Sequence, residues 1–208
     1  MNDFKPYGCD FQEALSNLGK VMHKCIEMDL YRSPKKCEFL MIVGTMLGHS
    51  ISQQGLQVDP NKRAIIQGVP PPQKPRDVKS FLGLVGYYRR FIKAFSKLAS
   101  PLFGLLDKDS EFVWSKIYQE ALDTLKDKLT IAPILQGPNW ALPFHIHVNA
   151  SHKSIGVALG QIHEKFPYAI YFINKNLSKV ELSYTVTENE LLAIVYSLKN
   201  FRHYIIGY

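Results

Sequence analysis

The chain has 208 residues, of which 46% are hydrophobic and 12% aromatic, enough apolar surface to bury a core and too much for a disordered or low-complexity polypeptide. No apolar run approaches the roughly 18 residues a membrane-spanning helix needs, and the opening MNDFKPYGCD lacks the basic and apolar regions of a signal peptide, so no membrane partner is expected. Cysteine is confined to Cys9, Cys25 and Cys37, an odd number that argues against a disulfide framework and points to reduced thiols in the cytoplasm or nucleus.

In chain order, Phe11, Leu15, Leu18, Val21, Met22 and Cys25 fall at helical spacing over residues 11–30. Residues 38–52 read as a hairpin, FLMIV then MLGHSIS, turning at Gly44 and Thr45, with the helix packed on these strands. From Asp59, which with Pro60 makes a cap and first-turn pair, the pattern turns helical for some 70 residues, broken at PPPQKP. Helices are expected over 76–93, 95–107 and 115–130, the last burying Tyr118, Leu122, Leu125 and Leu129. Strands follow at about 142–149, 155–161 and 168–174, then a helix from about 188 to 204. The fold class is α+β, without internal repeats.

The net charge of +7 is unevenly spread. Residues 60–97 hold nine basic side chains against a single acid, Asp77, while the remainder carries sixteen basic and seventeen acidic residues. Such a basic island on a near-neutral chain is the footprint of a polyanion binder. Taken as one helix, residues 76–97 place Phe81, Leu84, Val85, Tyr88, Phe91, Ile92 and Phe95 on an apolar face. Another face carries Arg76, Lys79, Gly83, Gly86, Arg90, Lys93 and Lys97, with Tyr87 and Arg89 beside it. A mid-helix glycine costs about 1 kcal/mol relative to alanine, so two within a cationic stripe imply the close approach of another backbone, either nucleic acid or a packed helix. Packing would bury the neighbouring charges, which favours nucleic acid.

The string FLGLVGYYRRFIKAFSKLASPLFGLL closely resembles the thumb of reverse transcriptases from gypsy-type LTR retrotransposons, the plant elements especially. MNDFKPYG is similar to the end of the palm motif, aromatic-Met-Asp-Asp-Phe, and KCEFLMIVGTMLGHSIS to the strands after it. PFHIHVNASHKSIGVALGQ and YTVTENELLAIVYSLKNFRHYIIG resemble the opening of the RNase H domain. The resemblance implies a palm remnant over 1–58, a helical thumb over 59–135 and the start of an RNase H-like mixed sheet with helix over 136–208. It also implies that Gly83, Gly86 and Tyr87 lie against the minor groove of a template–primer duplex, the partner being an RNA/DNA hybrid or DNA duplex.

Both reactions of that family use paired Mg²⁺ ions held by carboxylates. In the resemblance Asn2 stands where the palm has its first aspartate, leaving Asp3, and Asn149 stands where the RNase H domain has its first. An amide offers one neutral oxygen and cannot offset a divalent ion. Glu190 matches the second RNase H carboxylate, yet it is also the fourth residue of Thr187-Glu188-Asn189-Glu190, readable as a capping box. No aspartate follows Asp127. No intact metal site is therefore expected, and Mg²⁺ belongs to the ancestral enzyme. His145 and His147, two apart on a strand with Asn149 or His152, are read as polar decoration, and His23, Cys25, Cys37 and His49 lack zinc-site spacing. The expectation is an inactive reverse transcriptase/RNase H fragment that retains duplex binding and other Pol segments as partners; the alternatives are activity with a complementing chain, or a product without function.

Overall fold

The computed structural model describes residues 4–8, 10–31, 33–39, 41–107 and 112–206. The chain divides into two compact units, residues 1–41 and 42–208. The first is built around helix α1 (Phe11–Glu27), capped by the Asp10 carboxylate accepting from the Glu13 N–H at 2.7 Å. The expected apolar stripe is only partly used. Cys25 is buried, whereas Phe11 and Leu15 are exposed.

In the second unit a small antiparallel sheet comes first, β1 (Gly44–Met46), β2 (His49–Ser52) and β3 (Gly55–Val58), in the order β1-β2-β3. The hairpin turn is not at Gly44 and Thr45, which lie inside β1. Met46 pairs with His49 across Leu47 and Gly48, whose φ of 48° and 72° make a two-residue turn of mirror-image hand. A leucine in the left-handed region is uncommon, which is why the turn was not legible. Among FLMIV, Phe39, Met41 and Ile42 are exposed and belong to no strand.

Helix α2 (Pro60–Gln67) starts as its Asp-Pro signal dictates, the Asp59 carboxylate accepting from the N–H groups of Asn61 and Lys62 at 2.8 and 3.2 Å. The basic helix is interrupted: α3 (Pro75–Tyr87) ends, residues Arg89–Phe91 form a 3₁₀ turn, Ala94 is left-handed with φ 57°, and α4 (Phe95–Gly104) begins anew. A 3₁₀ turn repeats every three residues, so it preserves the three-residue apolar spacing and hides the break from a periodicity argument. Helix α5 (Lys116–Thr130) buries Leu122, Leu125 and Leu129 as expected, while Tyr118 is half-buried. These helices share a core of Phe81, Val85, Tyr88, Phe91, Ile92, Leu102 and Leu122 with Val58 of β3. Leu56 and Leu135 exchange backbone hydrogen bonds at 2.7 and 3.0 Å, joining the chain after α5 to β3.

The second sheet is a meander of β4 (His145–Ala150), β5 (Ser154–His163) and β6 (Phe166–Asn176), with β4 and β6 at its edges. Ile155, Val157 and Leu159 alternate into a second core with Ala193 and Phe201, closed by α6 (Val186–Asn200) and the short α7 (Arg202–Ile205). Ala169 and Phe172 of β6 pack against the first core, so the sheet and the helical layer form one body. The α+β class is as expected. Helix α6 starts earlier than its sequence pattern suggests: Thr185 is the N-cap and Glu188 closes the capping box, which corrects the assignment of that role to Thr187 and Glu190.

One buried amide organises the approach to β4. Gln161, 1% exposed, accepts from the Asn139 N–H at 2.9 Å and the Tyr168 hydroxyl at 2.7 Å, and donates to the carbonyls of Asn139 and Leu142 at 2.8 Å each. Replacing Gln161→Leu removes all four bonds, although the Asn139 carbonyl keeps the Leu142 N–H at 3.0 Å, and is expected to cost about 2–4 kcal/mol, read as a fall in the urea midpoint at constant slope. Lys175 pairs with Glu181, which also accepts from the Ser178 N–H at 2.8 Å. The lysine contact first, then that backbone bond, holds the Glu181 carboxyl down to about 2 from its ordinary 4.5. A carboxylate with a depressed folded pKa stabilises the fold above its unfolded pKa. Thermal scans should show this contribution fading as the pH falls from about 4.5 towards 2, and Lys175→Met should flatten the profile across that window.

Candidate nucleic-acid interface

Helix α3 carries Arg76, Lys79, Gly83 and Gly86 at alternating three- and four-residue steps on one stripe. Arg76, Lys79 and Gly83 are exposed and Gly86 is half-buried. A β-carbon built on Gly83 would meet no atom within 4 Å, and one on Gly86 would meet only the Phe95 ring, at 4.0 Å. Among the described residues nothing is packed on Gly83, whereas Gly86 lies beside the first residue of α4; the Arg76, Lys79 and Gly83 part of the stripe faces open space.

Beyond the break the expected residues separate. Lys93 and Lys97 are exposed, as is Arg89. Arg90, expected on the stripe, instead lays its guanidinium over the Tyr171 ring of β6 at 4.2 Å. It is therefore partly spent on joining the helical layer to the second sheet. Tyr87, beside the glycines, is half-exposed, with its hydroxyl anchored on the Leu47 carbonyl at 2.6 Å. Its neighbour Tyr88 is buried and donates to the Gly48 carbonyl at 3.0 Å. Burial, then Tyr87 and Asp59, raise the Tyr88 phenol above its usual pKa, so it remains a donor throughout the neutral range. A side chain at Gly48 would collide with that hydroxyl at 2.7 Å, so the turn and the tyrosine fit only with glycine present.

These residues enclose a surface cavity of about 540 Å³ between the β1–β2 hairpin and the end of α3, lined by Met46, Leu47, His49, Gly86, Tyr87, Arg89, Arg90 and Tyr171 among others. The sequence marks Gly86, Tyr87, Arg89 and Arg90 for nucleic-acid contact, and the fold sets Leu47, His49 and Tyr171 beside them; the place of His49 next to a strand-pairing turn is the local signal for its position.

The ancestral metal positions fare differently. Asn2 and Asp3 lie outside the described residues. Asn149 sits on the edge strand β4, exposed, in a cross-strand row with Gly156 and Asn174. Glu190 is exposed on α6, which packs against β4. No strand of this sheet contains an aspartate or a glutamate. Of the four carboxylates after residue 136, Glu164 is in the β5–β6 turn, Glu181 is held by Lys175, and Glu188 caps α6, its pKa lowered by the Thr185 backbone and hydroxyl. Only Glu190 is left for a metal. Two divalent ions need several anionic oxygens, and one carboxylate beside an amide does not fit them. Among the described residues no group of three or more His, Cys, Asp or Glu is placed to hold a metal ion. Nor is any described helix long and apolar enough to cross a membrane.

Residues 114–208 match a family model described as an RNase H-like domain found in reverse transcriptase. Over its full length the chain is 35% identical to part of the retrovirus-related Pol polyprotein from transposon 297 of Drosophila melanogaster, covering 19% of that protein. Identity is 30% over 99% of the chain with the transposon Tf2-3 polyprotein of Schizosaccharomyces pombe, covering 16% of it. The chain thus spans about a fifth or less of the relatives it matches. Among solved structures, the foamy viral protease-reverse transcriptase in complex with RNA/DNA hybrid superposes with a TM-score of 0.81 at 24% identity, over 97% of this chain and 27% of that one. The same enzyme in complex with double-stranded DNA gives 0.78 at 25% identity, over 94% and 41%. Residues 114–208 are thus similar to the RNase H-like domain of reverse transcriptases, and the chain as a whole is similar to a segment of retrotransposon Pol polyproteins.

Proposed function

We propose that this chain binds an RNA/DNA hybrid or DNA duplex along α3 and the basic residues after it, and that by itself it neither polymerises nor hydrolyses nucleic acid. On this reading residues 1–58 are the end of a palm, 59–135 a thumb and 136–208 the start of the RNase H domain of a plant-like gypsy-type element. Further Pol segments are its partners, in the cytoplasm or nucleus.

The observation that carries the reading is the empty space over Gly83 within an exposed run of Arg76 and Lys79. Gly83 weakens the helix and returns nothing to its packing, whereas a phosphate backbone drawn in by the flanking cations gains close contact there. The foamy viral structures with bound hybrid and duplex support the same placement by likeness of fold. Catalytic silence is supported by the amide at Asn149 and the acid-free sheet around it.

Gly83→Ala separates this reading from a structural role. Because the added methyl meets nothing, it should raise stability by about 0.5–1 kcal/mol in thermal or urea unfolding. It should also weaken binding of a fluorescent hybrid of about 20 base pairs roughly fivefold, equivalent to about 1 kcal/mol. Unchanged affinity would sink the proposal. In a salt series, the triple variant Lys79→Ala, Arg89→Ala, Lys93→Ala should make the log–log slope shallower, from about −5 to about −2; Arg90 is left intact because it braces Tyr171. For the second half of the proposal, Asn149→Asp alone should yield no Mg²⁺-dependent cleavage of a hybrid, since one further carboxylate leaves the ligand set incomplete. Cleavage by that variant would refute it.

A further inference from the structure

The edge strand β4 carries nitrogen donors that the duplex reading leaves unused. Phe144, Ile146 and Ala150 pack against the core that α6 closes, so strand alternation turns His145, His147 and Asn149 to the opposite face of the sheet. His145 is half-buried and His147 exposed. Neither imidazole is drawn into a hydrogen bond or ring contact with another described side chain. The β4–β5 ladder is regular over its six pairs, the register shift at Leu159 and Gly160 falling on the β5–β6 side. Across that ladder His145, His147 and Asn149 stand opposite Gly160, Ala158 and Gly156, so β5 contributes no side chain that would crowd the two rings. On its other side β4 has no neighbouring strand among the described residues.

Two residues apart on a strand, the β-carbons of His145 and His147 stand roughly 6.5–7 Å apart, twice the rise per residue. At that separation both rings can converge on one ion, each nitrogen about 2.0–2.1 Å from it. The paired strand fixes this spacing before any ion arrives, so chelation costs side-chain rotamers and no backbone ordering. The donor set also selects the metal. Imidazole nitrogens suit Zn²⁺, Cu²⁺ and Ni²⁺, whereas Mg²⁺ asks for hard oxygen ligands, which this row offers only as the Asn149 amide.

We infer that His145 and His147 form a two-histidine chelate for a borderline divalent transition ion, with water or the Asn149 amide oxygen completing its coordination. The pair, read from sequence as polar decoration, gains this role from the regular ladder and the bare positions beside it. With two protein ligands the site is weaker and more exchangeable than a four-ligand structural site. It is separate from the two-ion Mg²⁺ chemistry and from the duplex surface on α3.

Trp140 supplies a reporter, its ring 5.8 Å from that of Phe144, the residue before His145. In a titration of the 208-residue chain, Cu²⁺, which quenches indole fluorescence at short range, should quench saturably. Zn²⁺, which does not quench, should in excess displace it and restore the signal, and Mg²⁺ at the same excess should not. His145→Gln and His147→Gln should each weaken Cu²⁺ binding about tenfold or more. His203→Gln, which alters the ring beside Tyr204, itself stacked on Trp140, should leave binding unchanged. In EDTA the two β4 variants should melt with the native chain, while excess Zn²⁺ should raise the melting temperature of the native chain alone. Native affinity in either β4 variant overturns the chelate, since one histidine then suffices or neither is used. Loss of binding in His203→Gln, displacement by Mg²⁺ as effective as by Zn²⁺, or a native melting temperature unmoved by Zn²⁺ overturns it as well. Duplex binding measured in EDTA stands or falls independently of all these outcomes.

Discussion

Two tyrosine hydroxyls, on adjacent residues at the end of α3, donate to two adjacent carbonyls in a single turn. Tyr87 reaches Leu47 and Tyr88 reaches Gly48. The Gly48 carbonyl also accepts from the Asp59 N–H at 3.2 Å, so one short turn anchors the first sheet to the helical layer and to the start of α2. Much of the rest follows from this tether. Burying Tyr88 stops the helix where it does, the 3₁₀ turn then directs Arg90 onto Tyr171, and the space between hairpin and helix becomes the cavity that His49 lines. A left-handed Leu47 is the local cost of this arrangement, offset by the bonds and ring contacts gathered around it.

The second sheet is held by different means. In β5 the buried Ile155, Val157 and Leu159 alternate with small residues, and the sheet's polar demand is met by Gln161 and by Asn174, whose amide donates to the Ile92 carbonyl at 3.4 Å. These bonds give the sheet a defined relation to the helices without requiring metal or acid chemistry. Packing and amide networks therefore suffice to hold this scaffold together. The two layers also differ in charge: exposed cations lie on α3 and after it, while the strands of the second sheet carry neither aspartate nor glutamate.

Much of this was legible in the residues. Asp59-Pro60 set the start of α2, Ser115 preceded α5, and alternation through His145 to Asn149 and Ile155 to Leu159 marked the meander. These are local or two-residue signals, and nothing elsewhere in the chain competes with them. The interruption at Tyr88 was invisible because a 3₁₀ turn keeps the three-residue spacing. The capping box was misplaced by two residues because two overlapping threonine and glutamate pairs, Thr185/Glu188 and Thr187/Glu190, both suit the pattern; the helix start decides between them.

By itself, then, the sequence determined the charge island and the types and rough bounds of most elements, since composition and local periodicity are properties of the chain. Only the tertiary structure decided that Gly83 looks onto open space, that Arg90 serves the sheet and not the stripe, and that His49 ends with a buried nitrogen lacking a partner. Each of these depends on what arrives from 40 or 80 residues away, and a hydrogen bond or a void exists only once both of its sides are in place.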